Sequence, residues 1–258
     1  TQAMYWPTFL GDRNRPMDLP ASNAPDRMKG ASESFGTLRY GNLAEILLYD
    51  CRRFASLTGV DAGFVPRPVE KWLYERSNSQ DVLHTIHIPS LPIGWSAGIW
   101  MEWYPDKRDS QGILSAKIPK YAWQPGWQLQ HDRILEILTQ AAKKPIFLQG
   151  DLHTFALAEI HRSNTVNLDK NPALAVIVGS LGSTAFPSVA RGVKAGIPSG
   201  LEVNEYFENL EESGFSMVKI NEDGVKVSMY NFLTGRDSIG DIPGLSPFTN
   251  FEFQRKHG

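Results

Sequence analysis

Short apolar runs separated by polar and glycine-containing segments recur along the chain and predict a set of buried strands. Each run is too short for a typical helix and is bounded by turn-forming residues. The predicted strands cover residues 43–49, 82–88, 145–149 and 173–178. Near the end of the chain, residues 214–220 and 225–230 flank a turn that contains Gly224, which predicts a β-hairpin.

Two segments have a helical pattern. Residues 128–144 place Ile134, Leu135 and Leu138 on one face and end in two lysines, which favours a helix. Prolines in the first turn predict a shorter helix at residues 66–73. Residues 154–161 fit either a helix or a strand. Helices mixed with buried strands indicate a layered α/β or α+β fold.

Polar side chains follow the first and fourth predicted strands. Asp50 and Arg52 follow the first, and a Gly/Ser loop that includes Ser180 follows the fourth. If the strands run side by side in one direction, these ends meet at one edge of the sheet, where open α/β sheets bind ligands. Arginine and backbone N–H donors suit a phosphate group. We therefore interpret Arg52, Asp50 and Ser180 as candidate substrate-binding residues.

The third predicted strand ends in Gly150, and Asp151 and His153 follow it. In an extended segment, positions i and i+2 point to the same side, so these two side chains are expected to converge. A carboxylate together with an imidazole suits a catalytic metal ion. The alternative is an ordinary turn in which His153 caps a following helix.

Several of these residues also have simpler interpretations. Asp50 pairs equally well with a neighbouring arginine, and Ser180 fits ordinary turn chemistry. His84 and His87 lie on opposite faces of their strand, so at most one of them faces the site. Cys51 is expected to be a small buried residue, with thiolate ligation as the alternative.

The remaining expectations concern a helix and a loop. His131 is expected to lie partly exposed on its helix, and His161 shows no partner in the sequence. Residues 90–127 are predicted to form a long loop with five tryptophans, at positions 95, 100, 103, 123 and 127. Large aromatic side chains mostly bury their area, so we expect a packed flap rather than the mouth of a substrate site.

The composition of the chain excludes some classes of protein function. Lysine and arginine number 26 against 28 aspartates and glutamates, and a net charge of −2 gives no basic excess to attract nucleic acid. No apolar segment is long enough to cross a bilayer, and we expect no signal peptide within these residues. The single cysteine excludes an internal disulfide. Residues 1–38 are predicted to form an irregular arm.

The order of several short segments resembles PhoD-type alkaline phosphatases, which belong to the calcineurin-like metallophosphatase superfamily. The matching segments are residues 40–46, 50–52, 72–73, 127, 133–135 and 150–153. Asn42 stands where that family has an aspartate, and Cys51 stands where it has a threonine. The resemblance covers residues 38–185, with the predicted hairpin as a continuation.

The resemblance implies a four-layer α/β/β/α sandwich with metal ions at the strand ends, of which iron, calcium, zinc and manganese are the candidates. By analogy, Asp151 and His153 lie in or beside the metal shell, and His87 resembles a further histidine ligand. The implied reaction is attack of a metal-bound hydroxide on a phosphate ester. The implied location is extracellular or periplasmic.

One departure concerns the aspartate-rich motifs that supply the family's earlier ligands, because this sequence has no such series. Residues 39–258 therefore resemble the C-terminal half of a metallophosphatase catalytic domain, with an N-terminal half supplied by the rest of the protein. The leading hypothesis is a metal-dependent phosphoric ester hydrolase. The alternatives are a non-catalytic module that binds a ligand or a partner, and a hydrolase that uses Asp151 and His153 as a metal-free acid–base pair.

Overall fold

The computed structural model describes residues 35–52, 54–56, 60–97, 125–181, 195–198, 200–207, 210, 212–233 and 236–255. The strands are β1 (Phe35–Tyr40), β2 (Ala44–Tyr49), β3 (His84–Pro89), β4 (Ser96–Ala97), β5 (Ile146–Gln149), β6 (Phe155–Ser163), β7 (Val166–Asn167), β8 (Ala173–Val178), β9 (Ala195–Gly196), β10 (Leu201–Glu205), β11 (Ser213–Ile220), β12 (Gly224–Phe232) and β13 (Thr249–Gln254). The helices are α1 (Arg67–Asn78), α2 (Pro125–Thr139) and a short 3₁₀ helix (Ile239–Gly244).

Eight of the strands form one large sheet. Its order is β1-β2-β3-β5-β8-β6-β10, and β7 pairs with β6. The central pairs β2–β3, β3–β5 and β5–β8 are parallel, whereas β1, β6 and β10 are antiparallel to their neighbours. The central strands are almost continuously apolar because helices cover one face of the sheet and a second sheet covers the other.

Both α-helices pack on one face of the large sheet. In α1, Val69, Trp72 and Leu73 recur at helical spacing and are buried. Proline in the first turn suits the start of α1, where an N–H group has no partner within the helix. In α2, Ile134 and Leu138 supply the buried stripe. These side chains join residues of the sheet in one hydrophobic core.

A separate antiparallel sheet of β11, β12 and β13 covers the other face. Val225, Val227 and Met229 alternate inward along β12 and pack with Ile86 and Val176 of the large sheet. The described residues thus form layers in the order helix, sheet, sheet. The predicted mixed α/β class is confirmed, and these are three of the four layers of the predicted sandwich.

The four predicted strands, the hairpin and both helices are confirmed, with small shifts at their ends. Residues 155–161 of the ambiguous segment 154–161 lie in strand β6. Strand β1 begins at Phe35, inside the segment that we assigned to an irregular arm, and residues 1–34 lie outside the described part. Helix α2 ends at Thr139, so the two following lysines lie beyond it. None of the described helices is both long enough and apolar enough to cross a membrane.

Two of the five tryptophans of the predicted loop are described, and both are buried. Trp95 follows β3, and Trp127 lies in α2 rather than in a loop. Packing is therefore confirmed for these two side chains. The other three tryptophans lie outside the described residues.

Two histidines differ from their predictions. His131 is fully buried, because Nε2 accepts a hydrogen bond from the backbone N–H of Gly94 at 3.2 Å and Nδ1 lies 3.3 Å from the hydroxyl of Ser163. His161 has a partner, since Nδ1 lies 3.1 Å from Asp169. His131 is therefore part of the buried framework, whereas His161 lies near the surface with its side chain 37% exposed.

Candidate active site

The ends of four parallel strands form the candidate site. Because β2, β3, β5 and β8 are consecutive and parallel, their C-terminal ends lie at one edge of the sheet. The prediction that these ends share an edge is confirmed. Hydrogen bonds also connect the segments that follow them, so the edge is a connected framework rather than a set of separate loops.

Ser90 connects the ends of β2 and β3. Its backbone N–H donates to the carbonyl of Tyr49 at 3.1 Å, and its hydroxyl donates to the buried carboxylate of Asp50 at 3.2 Å. The same hydroxyl accepts a hydrogen bond from the backbone N–H of Cys51 at 2.8 Å. Asp50 in turn accepts the backbone N–H of Arg52 at 2.8 Å, which fixes the turn that carries the arginine.

Gln149 connects the end of β5 to the segment after β3. Its buried side-chain amide accepts the N–H of Ile93 at 2.8 Å and donates to the carbonyl of Ile93 at 2.7 Å. The segments after β5 and β8 are connected by the N–H of Gly179, which donates to the carbonyl of Thr154 at 3.1 Å. We predicted no role for Ser90 or Gln149 from the sequence. Gln149 was detectable as the one polar residue that closes an apolar strand.

Arg52 and Asp151 meet across this edge. The guanidinium of Arg52 lies 2.5 Å from the carboxylate of Asp151, and their side chains are 31% and 36% exposed. Partial burial raises the pKa of Asp151, and the positive charge of Arg52 opposes this effect. The structure therefore brings together one candidate substrate-binding residue and one candidate metal ligand.

The segment that carries Asp151 and His153 is not extended but forms a turn, which was our alternative interpretation, and a strand rather than a helix follows it. Both residues have positive φ angles, of 77° and 51°. The buried side chain of Leu152, between them, joins the core on the helix side of the sheet. The two polar residues therefore lie in a tight turn on either side of the buried Leu152. Their side chains are not related as positions i and i+2 of a strand. Aspartate and asparagine are among the few residues besides glycine that tolerate this backbone region.

His87 lies within the sheet and not at its edge. It is in register with Phe147 of β5, two residues before that strand ends, and its ring packs 5.0 Å from the Phe147 ring. Its Nε2 lies 3.3 Å from the hydroxyl of Ser77 in α1. Burial lowers the pKa of His87 to about 3. The structure does not bring this predicted metal ligand together with Asp151.

His84 occupies the opposite face of the same strand, as predicted. Its Nε2 lies 2.8 Å from the carbonyl oxygen of Asn221, in the turn between β11 and β12. Burial lowers the pKa of His84. The two histidines thus point toward different layers, and both contribute to packing between those layers.

Ser180 follows β8 and is half-buried. Its carbonyl accepts the N–H of Gly214 at 2.9 Å, which ties the loop to the start of β11. Gly179, just before it, has φ of 91°, and a Cβ at this position would lie 2.5 Å from the ring of Phe155. A glycine is therefore required where the chain leaves β8. Residues 182–194 lie outside the described part, so the rest of the predicted Gly/Ser loop is not placed.

Cys51 is fully buried beneath the edge. Burial raises the pKa of its thiol to about 12. A thiol with such a high pKa is a poor source of a thiolate ligand. The position therefore favours the packing interpretation of Cys51.

Comparisons with known proteins give a structural similarity. No family model matches the sequence, and no curated protein matches it. A solved structure described as "Structure of PhoD" superimposes with a TM-score of 0.51 and 14% sequence identity. The similarity covers 93% of this chain and 44% of the PhoD chain.

The chain shares the fold of a part of PhoD. This agrees with the layered arrangement of the helices and the two sheets. The chain spans less than half of the length of the PhoD chain that it matches.

The described residues do not fit a metal centre by themselves. In the part of the chain that the structure describes, no group of three or more histidine, cysteine, aspartate or glutamate side chains is placed to hold an ion. Asp151 and His153 are two possible donors at the edge, and the guanidinium of Arg52 lies against the carboxylate. Catalytic metal sites usually need at least three protein ligands.

A surface cavity elsewhere in the molecule is a less suitable site. It has a volume of about 610 Å³ and lies between residues 54–67 and α2. The polar side chains of its wall already have hydrogen-bond partners within the protein. The Gln130 side chain accepts a hydrogen bond from the N–H of Phe64 at 2.6 Å and donates one to Glu70 at 2.7 Å. Arg133 in turn donates to Glu70 at 3.0 Å. The strand ends, where polar groups from several elements converge, remain the candidate site.

Proposed function

We propose that this chain is the C-terminal part of the catalytic domain of a phosphoric ester hydrolase with the PhoD fold. The observation that carries the proposal is the meeting of Arg52 and Asp151 at the common end of parallel strands. This edge is where α/β sheets place their ligands. A guanidinium held there is well suited to a phosphate group, because it presents a planar fork of N–H donors.

In this proposal Arg52 binds a phosphate oxygen of the substrate. The buried carboxylate of Asp50 holds the backbone N–H of Arg52, and the Arg52 side chain is partly exposed. Asp50 therefore acts by positioning Arg52, and the half-buried Ser180 lies at the end of β8, at the same edge. Asp151 competes with phosphate for the guanidinium, so binding of an anion requires the ion pair to loosen or to be shared.

Metal use belongs to the longer polypeptide in this proposal. Asp151 and His153 are the proposed ligands from this chain, and the ligands that the described residues lack come from a segment outside it. Iron, calcium, zinc and manganese are the candidate ions. The substrate class is a phosphate ester. An extracellular or periplasmic location is part of the same proposal.

Two polypeptides test this function. The first is the 258-residue chain, and the second carries in addition whatever coding sequence precedes that of Thr1. We expect the longer polypeptide to contain stoichiometric metal by elemental analysis and to hydrolyse p-nitrophenyl phosphate in a chelator-sensitive manner. Asp151→Ala should lower its metal content. Lys71→Ala, on the exposed face of α1, is the matched control and should leave metal and activity unchanged.

A longer polypeptide that is folded, metal-free and inactive would contradict the proposal. The absence of a three-ligand group among the described residues favours one second candidate, a non-catalytic PhoD-like module that binds an anionic ligand or a partner. That candidate predicts phosphate binding that depends on Arg52 in both polypeptides, without metal and without turnover.

A further inference from the structure

A row of polar side chains crosses the large sheet at the end opposite the candidate active site. This polar row consists of Arg39 of β1, Glu45 of β2 and Thr85 of β3, which are consecutive partners in the strand register and so share one face. Helices cover this face, because Arg76 of α1 donates to the carboxylate of Glu45 at 2.6 Å. The amine of Lys143, in the turn between α2 and β5, donates to the hydroxyl of Thr85 at 3.3 Å.

The carboxylates beside the polar row are already paired with arginines. Glu45 is fully buried and accepts two hydrogen bonds from Arg76, at 2.9 and 2.6 Å. Asp81, just before β3, pairs with Arg39 at 2.6 Å. Lys143 is therefore a third cation beside two carboxylates, and among the described residues no carboxylate lies within ion-pairing distance of its amine. Loss of its proton leaves two cations balanced by two anions.

The neighbouring Lys144 has the opposite arrangement. Its amine contacts the carboxylate of Glu159 and lies 5.1 Å from the centroid of the Phe253 ring. Its side chain is only 9% exposed, whereas Lys143 is half-buried. Two consecutive lysines thus differ in their partners, since Lys144 is ion-paired and Lys143 has a neutral hydroxyl as its acceptor.

The backbone that carries Lys143 is held in place. The side-chain amide of Asn171 donates to the carbonyl of Ala141 at 3.0 Å and to the carbonyl of Lys143 at 2.8 Å. These hydrogen bonds fix the turn after α2. The base of the flexible lysine side chain therefore stays within reach of the polar row.

We propose that Lys143 is a site of covalent modification, at which the neutral amine is acylated by an activated acyl group. Partial burial and the absence of a paired carboxylate both disfavour the ammonium form. Burial is the main cause that lowers the pKa of Lys143 to about 8, with Arg76 and Arg39 acting in the same direction and Glu45 and Asp81 opposing it. The neutral, nucleophilic form is therefore accessible near physiological pH.

The reaction joins the amine to the acyl carbon. Nζ attacks the carbonyl carbon of the donor, and a C–N bond forms. The bond from that carbon to the phosphate oxygen or the thiol sulfur of the donor breaks, and the leaving group takes the electron pair. The proton of the amine passes to water. The inference does not depend on the proposed function, because Lys143 lies at the opposite end of the strands from Arg52 and Asp151.

Site-resolved mass spectrometry of the folded 258-residue chain tests this inference. The chain is treated at pH 8 with acetyl phosphate, and separately with acetyl-coenzyme A, and the acetylation rates of Lys143, Lys144 and Lys71 are compared. Lys71 is 74% exposed on α1 and serves as the reference. We expect Lys143 to react at least about tenfold faster than either of the others.

This factor follows from the neutral fraction of the amine. About half of an amine with a pKa of about 8 is neutral at pH 8, which is about 100 times the fraction at the ordinary lysine pKa. The lower nucleophilicity of a weaker base offsets about tenfold of this advantage, as it does for thiols.

The same reaction in guanidinium chloride is the control, because unfolding removes the surroundings of Lys143 and should abolish its preference. A preference for Lys143 in the folded chain supports the inference, and the donor that produces it identifies the carrier of the acyl group. Reaction of Lys143 no faster than that of Lys71 with both donors would overturn the inference. A preference that persists after unfolding would overturn it as well.

Two substitutions of Thr85 test the role of the surroundings. Thr85→Asp places a carboxylate beside the amine and should slow the acetylation of Lys143 by at least about fivefold, because an opposite charge stabilises the ammonium. Thr85→Ser retains the hydroxyl and should leave the rate unchanged. Undiminished acetylation in a folded Thr85→Asp variant would contradict the inference. If that variant does not fold, the comparison of Lys143 with Lys144 in the parent chain decides.

Discussion

The guanidinium of Arg52 and the carboxylate of Asp151 lie 2.5 Å apart, although the strands that carry them are not neighbours. Arg52 follows β2 and Asp151 follows β5, and β3 lies between them in the sheet. The pair therefore closes over the end of β3, where Ser90 and Gln149 hold the neighbouring backbone. A charge pair in this position restricts what else can bind at the edge, because each partner neutralises the other.

The first prediction is that substitutions of the two partners change phosphate affinity in opposite directions. Arg52→Ala removes the cationic donor and should weaken binding of inorganic phosphate by at least about tenfold, which corresponds to about 1.4 kcal/mol. Asp151→Asn removes the competing anion and should strengthen binding. Isothermal titration calorimetry on the 258-residue chain measures both effects.

Arg39→Ala is the matched control for this comparison, because Arg39 pairs with Asp81 at 2.6 Å at the opposite end of the strands. It should leave phosphate affinity unchanged. A decrease in phosphate affinity on Asp151→Asn would contradict competition for Arg52.

Loss of the partly exposed Arg52–Asp151 ion pair should lower the free energy of unfolding by no more than about 1 kcal/mol.

The second prediction concerns the pH dependence of stability at Asp151. Partial burial raises the pKa of this carboxyl in the folded protein, against the opposing charge of Arg52. The folded state therefore binds a proton at Asp151 more readily than the unfolded state does. As the pH rises from the ordinary aspartate pKa through the raised pKa, the contribution of Asp151 to the free energy of unfolding decreases. An asparagine at this position would avoid the cost of burying a charge and tolerates the positive φ.

Asp151→Asn should thus be at least as stable as the parent at pH 7, and its advantage should diminish toward pH 4. Urea unfolding at the two pH values measures the difference in unfolding free energy. A variant that is less stable than the parent at pH 7 would show that the ion pair with Arg52 outweighs the cost of burial. Polar residues that lower the stability of a fold are often retained because the function requires them.

The shared edge of the sheet was predictable from the sequence, whereas the geometry of the turn after β5 was not. Apolar runs that end in Asp50, in Gly150 and in Gly179 identify the strands and their polar ends. The sequence left open whether the segment after Gly150 is extended or a turn, and we did not predict the positive φ of Asp151 and His153, which flank the buried Leu152. Local pattern locates such a turn, but long-range packing determines which way its side chains point.

Two other differences could have been predicted. His131 lies three and four residues before Ile134 and Leu135, on the buried face of α2, and the backbone N–H of Gly94 donates to its ring. The helical spacing indicated this burial, and we did not predict it. Strand β13 was missed although Phe251 and Phe253 alternate with polar residues, which is the period of a half-buried strand. That pattern was readable from the sequence, and we did not predict a strand from it.

The third prediction is that His87 makes the fold sensitive to acid. Burial, and secondarily the charge of Lys143, lower the pKa of His87 to about 3 in the folded protein. Below the ordinary histidine pKa the unfolded state takes up a proton that the folded state does not, so stability decreases as the pH falls from about 6.5 toward 3. The slope from one such group reaches about 1.4 kcal/mol per pH unit.

His87→Gln should reduce the slope of unfolding free energy against pH between 7 and 5, because glutamine does not titrate. Denaturant unfolding of the parent and of His87→Gln at a series of pH values measures this slope. The buried His84 and His131 also have lowered pKa values, so part of the slope should remain. An unchanged slope in His87→Gln would contradict the assigned protonation state.

The fourth prediction compares two glycines that end neighbouring strands. Gly179, after β8, has φ of 91°, and a Cβ there would lie 2.5 Å from Phe155. Gly179→Ala should therefore cost at least about 2 kcal/mol, from the unfavourable backbone region and from displacement of the ring. Gly150, after β5, lies outside the left-handed region, and a Cβ there would meet no atom of the surrounding structure within 4 Å.

Gly150→Ala is accordingly the matched control, and its unfolding free energy should lie within about 0.5 kcal/mol of the parent. Urea unfolding of both variants gives the comparison directly. Gly179→Ala should also affect the candidate site. A displacement of the chain away from Phe155 moves Ser180, whose carbonyl accepts a hydrogen bond from the N–H of Gly214. If Gly179→Ala destabilises the fold, a heteronuclear NMR spectrum should show shifts at Ser180 and Gly214 that Gly150→Ala does not produce. Equal stability of the two variants would mean that the ring of Phe155 has room to move, and that β8 does not fix the loop after it.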